Sequence, residues 1–140
     1  MMILDTNVVS ELMRKAPDRR IGKWIESCKG ERLFVTAITV MEILRGLERL
    51  SQGKRRADLE ERFNAFLDGA FGGRVLPFAH STSLVYAPLY VRREKAGLGI
   101  GELDLMIAAI AVEHGARIAT RNIGDFEETG VEVVNPWASG

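Results

Sequence analysis

Four carboxylates stand at comparable positions along the chain, each beside the boundary between an apolar run and a helix or turn. They are Asp5, Glu42, Asp104 and Asp125. Four carboxylates separated by about 4–5 Å would repel one another by several kcal/mol per pair at an effective dielectric of about 20, unless a cation or protons neutralise them. Because the set contains oxygen ligands and neither His nor Cys, it favours Mg²⁺ or Mn²⁺ over Zn²⁺.

Each of these acids also fits an ordinary structural role. Asp5 directly follows an apolar run, where an Asp is commonly a turn or cap residue. Glu42 is three residues after Thr39, which is the spacing of a capping box. The helix face on which Glu42 projects is polar. Asp104 lies in the first turn of its predicted helix, on a face that it shares with small apolar residues. It is therefore either a helix cap or a partly buried ligand. Asp125 lies in an Asn-x-Gly-Asp stretch that suits a turn.

The elements that would position these acids are short strands alternating with amphipathic helices. The apolar runs predict strands at 2–4, 33–35, 75–78, 117–120 and 131–134. The helical patterns cover 8–14, 18–27, about 39–51, 56–68, 81–95 and 102–114. Thr6 or Asn7 is the expected cap of the first helix, and Pro77 suggests an edge position for the third strand.

This alternation predicts one α/β domain over residues 1–140, with a mostly parallel five-stranded sheet and helices on both faces. In such sheets, ligands bind at the carboxyl ends of the strands. Asp5 and Asp125 follow strands, whereas Glu42 and Asp104 are near helix starts. All four acids are therefore expected at the same sheet edge.

Composition narrows the function classes. The chain has 140 residues, 46% of them hydrophobic and 27% charged, with 19 basic and 19 acidic residues, which indicates a globular protein without a strongly basic surface. Its one cysteine, Cys28, excludes an internal disulfide and a cysteine zinc site. No signal peptide or bilayer-length apolar segment is apparent, so we expect a cytoplasmic protein with no membrane association.

The ordered motifs resemble the PIN domain, and more closely the VapC and FitB type of toxin ribonuclease. The likeness covers essentially the whole chain and rests on four motifs taken in order and spacing. These are Ile3-Leu4-Asp5-Thr6-Asn7, Thr39-x-x-Glu42-Ile43-x-x-Gly46, Asp104-x-x-Ile107-Ala108-Ala109 and Thr120-Arg121-Asn122-x-x-Asp125-Phe126. The closing Asn135-Pro136-Trp137 looks like the FitB branch.

The resemblance implies a metal-dependent endoribonuclease with Asp5, Glu42, Asp104 and Asp125 as its acidic catalytic site. Asp5, Asp104 and Asp125 would contact the metal directly, and Glu42 would act directly or through water. The implied cofactor is Mg²⁺, with Mn²⁺ as an alternative. A bound metal would generate hydroxide and neutralise charge developing on the phosphate of the RNA.

Polar and basic residues around the acids are candidates for positioning substrate. Thr120 or Asn122 would orient water or phosphate, and Arg45 and Arg121 are the basic residues closest to the acids in the pattern. A wider set of basic residues could form a rim for the RNA backbone or simply a solvated surface: Arg45, Arg49, Lys54, Arg55, Arg56, Arg92 and Arg93. One departure from the family is Ala79, where many relatives carry an acid, and it is expected to alter helix capping or local charge.

The resemblance also implies partners. The first is a second copy of the same chain, in a homodimer. The second is a small antitoxin, which in this family often delivers a basic residue into the acidic pocket. A larger assembly with antitoxin and DNA is a further possibility. Two other functions stay open at this point. The first is a Mg²⁺-dependent small-molecule phosphohydrolase, which the absence of a glycine-rich phosphate loop disfavours. The second is a non-catalytic module that holds a basic partner in the acidic pocket.

Overall fold

The protein is described here by a computed structural model that covers residues 1–69 and 74–138. In these ranges five strands form one sheet in the order β3-β2-β1-β4-β5, and every neighbouring pair is parallel. The strands are β1 (Met2–Leu4), β2 (Leu33–Thr36), β3 (Val75–Leu76), β4 (Arg117–Ala119) and β5 (Val133–Val134). The predicted five-stranded parallel sheet is therefore confirmed, with β1 at its centre and β3 at an edge, as Pro77 suggested.

Six α-helices and one 3₁₀ helix cover the sheet within the described residues. They are α1 (Thr6–Leu12), α2 (Arg19–Ser27), α3 (Ala37–Glu48), α4 (Lys54–Gly69), α5 (His80–Lys95), α6 (Glu102–His114) and the 3₁₀ helix Ile123–Phe126. Residues of the first four helices pack on one face of the sheet, and residues of α5 and α6 pack mainly on the other. Helices on both faces confirm the predicted α/β class.

The central strand supplies side chains to both cores. Met2 and Leu4 belong to the cluster beneath α1 to α4, whereas Ile3 belongs to the cluster beneath α5 and α6. All three are almost completely buried. Since successive side chains of a strand point to opposite faces, a strand covered on both sides must be continuously apolar. That requirement explains the uninterrupted run before Asp5.

Strand order places a crevice beside the end of β1. The chain builds outward from β1 to β2 and β3, then returns to place β4 on the other side of β1. Ile3 pairs with Ile118 of β4, and the Asp5 N–H continues the ladder by donating to the Ala119 carbonyl at 2.9 Å. The residues after β1 and β4 therefore meet at the reversal point of the sheet, where ligands bind in open α/β folds.

Two helix starts differ from prediction. The first helix begins at Thr6, and its N-cap is Asp5, not Thr6 or Asn7. The third begins at Ala37 because Thr36 is its cap, with Thr36 Oγ1 accepting a hydrogen bond from the Thr39 N–H at 3.2 Å. The predicted capping box from Thr39 to Glu42 is therefore wrong, and Glu42 lies in the second turn of α3.

The remaining boundaries differ by only a few residues. Strand β5 is shorter than predicted, and the predicted turn at 122–125 becomes a 3₁₀ helix. Helix α5 starts after Ala79, whose side chain offers no cap acceptor, although Thr82 Oγ1 accepts from the Ala79 N–H at 3.0 Å. Helix α6 ends at His114, and its C-cap is Gly115, whose φ of 63° is the left-handed conformation that glycine tolerates best. Within residues 1–69 and 74–138, no helix combines the length and apolarity needed to cross a membrane.

Candidate active site

Asp5 ends β1 and caps α1 at the same time, so the structural and functional interpretations of this residue are compatible. It is 3% exposed, and its carboxylate accepts three hydrogen bonds. Oδ1 accepts from the Thr6 N–H at 2.8 Å, and Oδ2 accepts from Thr120 Oγ1 at 2.7 Å and from Asn7 Nδ2 at 3.2 Å. Burial raises the pKa of Asp5 above its ordinary value, although the hydrogen bonds from Thr120 and Thr6 lower it. The carboxylate is thus held in one orientation.

Thr120 positions Asp5. Its hydroxyl donates to Asp5 Oδ2 and accepts from Asn7 Nδ2 at 3.1 Å and from the Asn122 N–H at 3.0 Å. A hydroxyl has one proton and two lone pairs, so all three are in use. Contact between Thr120 and a phosphate or water would require one of these bonds to break. Asn122 itself is exposed and contributes its backbone to this network.

Asn7 belongs to the site, although the sequence pattern suggested only a cap. Its Nδ2 donates to Asp5 Oδ2 and to Thr120 Oγ1, and its Oδ1 accepts from the Arg121 N–H at 3.1 Å. The side chain therefore joins the end of β1 to the segment after β4. The available signal was the position of an amide two residues after a candidate ligand, at a strand end.

Glu42 is held by a chain of hydroxyl groups that begins on its own helix. Thr6 Oγ1 donates to Glu42 Oε1 at 2.8 Å and lies 3.0 Å from Thr39 Oγ1. Because Thr6 has a single hydroxyl proton, Thr39 must be the donor to Thr6. Glu42 is consequently half-buried against α1, whereas its helical periodicity predicted a solvated face. The contact crosses 36 residues of sequence.

The electrostatics of Asp104 reveal that the four acids share one region. Its pKa is raised to about 6, first by burial and then by the charges of Asp5, Asp125 and Glu42. The half-buried carboxyl group lies close to the backbone before α6, where a Cβ added to Gly101 would be 3.0 Å from Asp104 Oδ2. The predicted convergence of the acids on one sheet edge agrees with this mutual influence.

Asp125 reaches the site from the 3₁₀ helix after β4. It is exposed, and its side chain lies within reach of Asp104, where it contributes to the raised pKa of Asp104. When Asp104 is protonated, its carboxyl group can donate a hydrogen bond to Asp125. A proton on Asp104 and a divalent cation are two ways to relieve the same repulsion.

The donor chemistry suits a hard divalent cation, since the four candidate groups are all carboxylates. Within residues 1–69 and 74–138, however, no three His, Cys, Asp or Glu side chains are grouped as a metal site. The residues fit the cation by type, and their carboxyl groups would have to come closer together to bind one ion.

The two basic candidates lie in different surroundings. Arg45 is exposed on α3, one turn after Glu42, and lines a groove that also contains Thr6 and Glu42. The guanidinium of Arg121 instead lies over the ring of Trp137, with Cζ 4.8 Å from the ring centroid. Arg45 therefore lies beside Glu42, and Arg121 is engaged with Trp137, the last aromatic residue of the chain.

Arg93 supports the site from within the fold and was wrongly grouped with the surface basic residues. It is 4% exposed, and all its hydrogen bonds to residues in 1–69 and 74–138 go to backbone carbonyls. Nε and Nη2 donate to Gly99 O at 3.1 and 2.6 Å, and Nη1 donates to Glu127 O at 2.7 Å and to Gly124 O at 3.4 Å. One side chain thus joins the loop before Asp104 to the segment that carries Asp125.

Comparison with known proteins agrees with this geometry. The sequence profile described as "PIN domain" matches residues 2–132. The chain belongs to the PIN domain family. It is 43% identical over 137 residues to VapC ribonuclease Y4jK of Sinorhizobium fredii, which covers 98% of each chain. It is 38% identical over 137 residues to toxin FitB of Neisseria gonorrhoeae, covering 98% of this chain and 99% of FitB.

A solved structure supports the same assignment. The structure of FitAB bound to an IR36 DNA fragment contains a chain that superimposes with a TM-score of 0.90 at 37% identity, covering 100% of this PIN domain and 98% of that chain. The resemblance inferred from the four motifs is therefore confirmed at the level of family and fold. The roles of the individual acids stay predictions.

Proposed function

We propose that this PIN domain is a Mg²⁺-dependent endoribonuclease and the toxin of a toxin–antitoxin pair. The observation that carries the proposal is the Asp5 carboxylate held by Thr120 and Asn7 at the reversal point of the sheet, where the segments after β1 and β4 meet. The VapC ribonuclease and FitB toxin names of relatives at 43% and 38% identity support it.

In this proposal Asp5, Asp104 and Asp125 hold the metal, and Glu42 contributes directly or through water. The cation, Mg²⁺ or alternatively Mn²⁺, would supply an activated water and neutralise charge on the phosphate. Thr120 and Asn7 hold Asp5 Oδ2 through their hydrogen bonds, which leaves one lone pair of Oδ1 for the cation. A bound cation would relieve the repulsion that the charges of Asp5, Asp125 and Glu42 exert on Asp104.

Substrate positioning follows from the same contacts. Arg45 is exposed beside Glu42 and would bind a phosphate of the RNA next to the scissile one. Arg121 and Asn122 would position the strand through the segment after β4, Arg121 from its place on Trp137. Thr120 acts through Asp5, because its hydroxyl is already saturated.

The two alternative functions are less well supported. A small-molecule phosphohydrolase needs an enclosed pocket for its substrate, whereas Glu42 faces an open groove that continues along α3. A non-catalytic module would need only the negative charge of the pocket. The hydrogen-bond networks around Asp5 and Glu42 fix the orientation of individual oxygens, which binding of a basic partner does not require.

The proposed partners are an antitoxin protein and a second copy of this chain. The superposition with the FitAB–DNA structure supports an assembly of toxin, antitoxin and DNA. Exposed apolar side chains on α3 and α5 are compatible with such contacts. They include Met41 at 43%, Leu44 at 47%, Leu84 at 66% and Val91 at 43% exposure.

The test is cleavage of RNA by wild type, Asp5→Asn and Asp104→Asn, each with Mg²⁺, with Mn²⁺ and with a chelator. Asn keeps the shape of the side chain but removes its charge, so we expect each substitution and the chelator to lower the rate at least about 100-fold. Asp68→Asn is the matched control, because Asp68 is an exposed acid at the end of α4.

The control should cleave within about twofold of wild type, a range typical of a surface change. Circular dichroism spectra and melting temperatures would verify that all variants fold. Equal cleavage by wild type and both site variants, or equal cleavage with and without chelator, would overturn the metal-dependent mechanism. Hydrolysis of small phosphomonoesters in place of RNA would favour the phosphohydrolase.

A further inference from the structure

Two grooves adjoin each other on the α1–α3–α4 side of the protein. The first, named here the basic groove, has a volume of about 780 Å³ and lies between the end of α1 and the start of α4. The second has a volume of about 360 Å³ and extends along α3 from Thr6 and Glu42. Arg14 and Leu59 line both grooves, so the path is continuous from the acidic site to the basic groove.

The basic groove concentrates positive charge in a chain that is neutral overall. Its lining has one acid, Asp58, and five basic residues, which are Arg14, Lys15, Lys54, Arg55 and Arg62. The adjoining groove adds Arg45 and Arg49 against one acid, Glu42. Because the whole chain carries 19 basic and 19 acidic residues, this local excess is an asymmetry of the surface and not a reflection of composition.

Three of the groove's cations are available to a ligand. Lys15, Lys54 and Arg55 are exposed, and within the described ranges their side chains form neither hydrogen bonds nor ion pairs. Arg56, the next residue on α4, contrasts with them, since it pairs with Glu48 at 2.9 Å and with Glu60 at 2.7 Å. Arg14 and Arg62 are partly engaged, with Glu11 and with the Met13 carbonyl respectively.

We propose that the basic groove binds the sugar–phosphate backbone of an RNA strand whose scissile phosphate lies at the acidic site. This inference rests on the proposed ribonuclease function and adds a binding site remote from the reacting bond. Phosphates suit a lining dominated by cations. Ala16 and Leu59 are the apolar members of this lining, which offers little of the apolar anchoring typical of protein interfaces.

The groove should matter only for RNA above a certain length. Arg14 is eight residues beyond Thr6, which corresponds to about 12 Å at a rise of about 1.5 Å per helical residue. With phosphates about 3.4 Å apart along a stacked strand, about four nucleotides separate the acidic site from the groove. A trinucleotide at the acids would not reach Lys15, Lys54 or Arg55, whereas a 15-nucleotide strand (a length of roughly 50 Å at that spacing) would.

The test compares a triple variant, Lys15→Gln, Lys54→Gln and Arg55→Gln, with a control that loses the same charge elsewhere. The control is Lys23→Gln, Lys29→Gln and Lys95→Gln, because these lysines are exposed and lie outside the basic groove and the groove along α3. Binding of fluorescein-labelled single-stranded RNAs of 3 to 15 nucleotides (about 10 to 50 Å if stacked) is measured by anisotropy, with chelator and over a salt series. Gels verify that the RNA stays intact.

We expect the groove variant to bind the longest RNA at least about 10-fold more weakly at low salt. The slope of log affinity against log salt should fall by about 2, since each lost phosphate contact removes about 0.7 for single strands. The trinucleotide and the control variant should behave as wild type does. In cleavage assays with Mg²⁺, KM for long RNA should rise while kcat is unchanged.

The proposal is overturned if the groove variant and wild type have equal affinity and salt slope for the longest RNA. It is also overturned if the deficit is the same at every RNA length, which would indicate a general charge effect. Loss of binding to poly-L-glutamate with RNA affinity unchanged would assign the groove to an acidic polypeptide instead. If wild type cleaves no RNA but the length-dependent difference appears, the proposed ribonuclease function fails and the groove stands.

Discussion

The two halves of the acidic site are held in place by different means. Asp5 and Glu42 are fixed by side-chain donors from Thr120, Asn7 and Thr6, at distances of 2.7 to 3.2 Å. Asp104 and Asp125 interact with each other, and their backbone segments are joined from behind by one buried arginine. In the first half individual carboxylate oxygens are held by hydrogen bonds. In the second half the backbone segments are anchored, and burial and the neighbouring charges raise the pKa of Asp104.

This difference suggests that Asp5 and Asp104 have different roles in binding the metal within the proposed mechanism. A carboxylate with three hydrogen bonds changes its orientation at a cost, so Asp5 is suited to be the constant ligand. The pKa of Asp104 is raised by burial and by the charges of Asp5, Asp125 and Glu42, so its charge is the one that a divalent cation would stabilise most. Substitutions that act on one half should therefore leave a different signature from those that act on the other.

The largest effect is expected for Arg93→Met, which removes the guanidinium that joins the segments carrying Asp104 and Asp125. Without it the carbonyls of Gly99 and Glu127 lose their buried donor, so we expect the free energy of unfolding to fall by about 3 kcal/mol. Urea unfolding measures this loss, with Arg92→Met on the exposed neighbour as control. If Arg93→Met is as stable as wild type, the hydrogen bonds of Arg93 are not needed to join the two segments.

A smaller effect is expected for Thr120→Val, which disturbs the first half. Val keeps the shape of Thr but leaves Asn7 Nδ2 and the Asn122 N–H short of an acceptor, at a cost of about 1–2 kcal/mol. Because the lost hydrogen bond lowers the pKa of Asp5, that pKa should rise further and move the acid limb of RNA cleavage to higher pH.

Thr120→Ser, which retains the hydroxyl, is the control for this change and should restore both stability and the pH profile. If Val and Ser give the same pH profile, Thr120 acts through packing and not through its bond to Asp5.

Much of this architecture could be predicted from the sequence, because the patterns that indicate strands and helices are local and agree with one another. Apolar runs marked the strands, and the position of Asp5 after the first of them led to the correct strand end and the centre of the sheet. The confirmed family follows from four motifs whose order and spacing carry more information than any one of them.

What the sequence could not provide were contacts between distant segments. Thr36 and Thr39 are both acceptable caps, and only the structure selects Thr36. Glu42 has the periodicity of a solvated face, but Thr6 of another helix covers it. Arg92 and Arg93 are identical in type and adjacent, yet one is exposed and the other is buried among carbonyls that come from two loops. Such outcomes depend on tertiary packing, which overrides local preference.

The smallest and most specific effect is expected for Asp104→Asn in the presence of chelator. The pKa of Asp104 is raised from 3.8 to about 6 in the folded protein, so the folded state binds more protons than the unfolded state between these values. Unfolding free energy should then fall as pH rises from about 4 to about 6, by about 1 kcal/mol after allowance for solvent screening of a half-exposed group.

In the Asp104→Asn variant the new amide would donate to Asp125 at every pH, so the variant should match wild type near pH 4 and be more stable above about pH 6. The free energy of unfolding of the variant should still fall somewhat as pH rises, because burial also raises the pKa of Asp5. Urea unfolding of both proteins over this pH range measures the difference, with Asp68→Asn as control. Parallel stability curves would mean that the raised pKa of Asp104 contributes nothing to the pH dependence of stability, and the proposed contrast between the two halves of the site would fail.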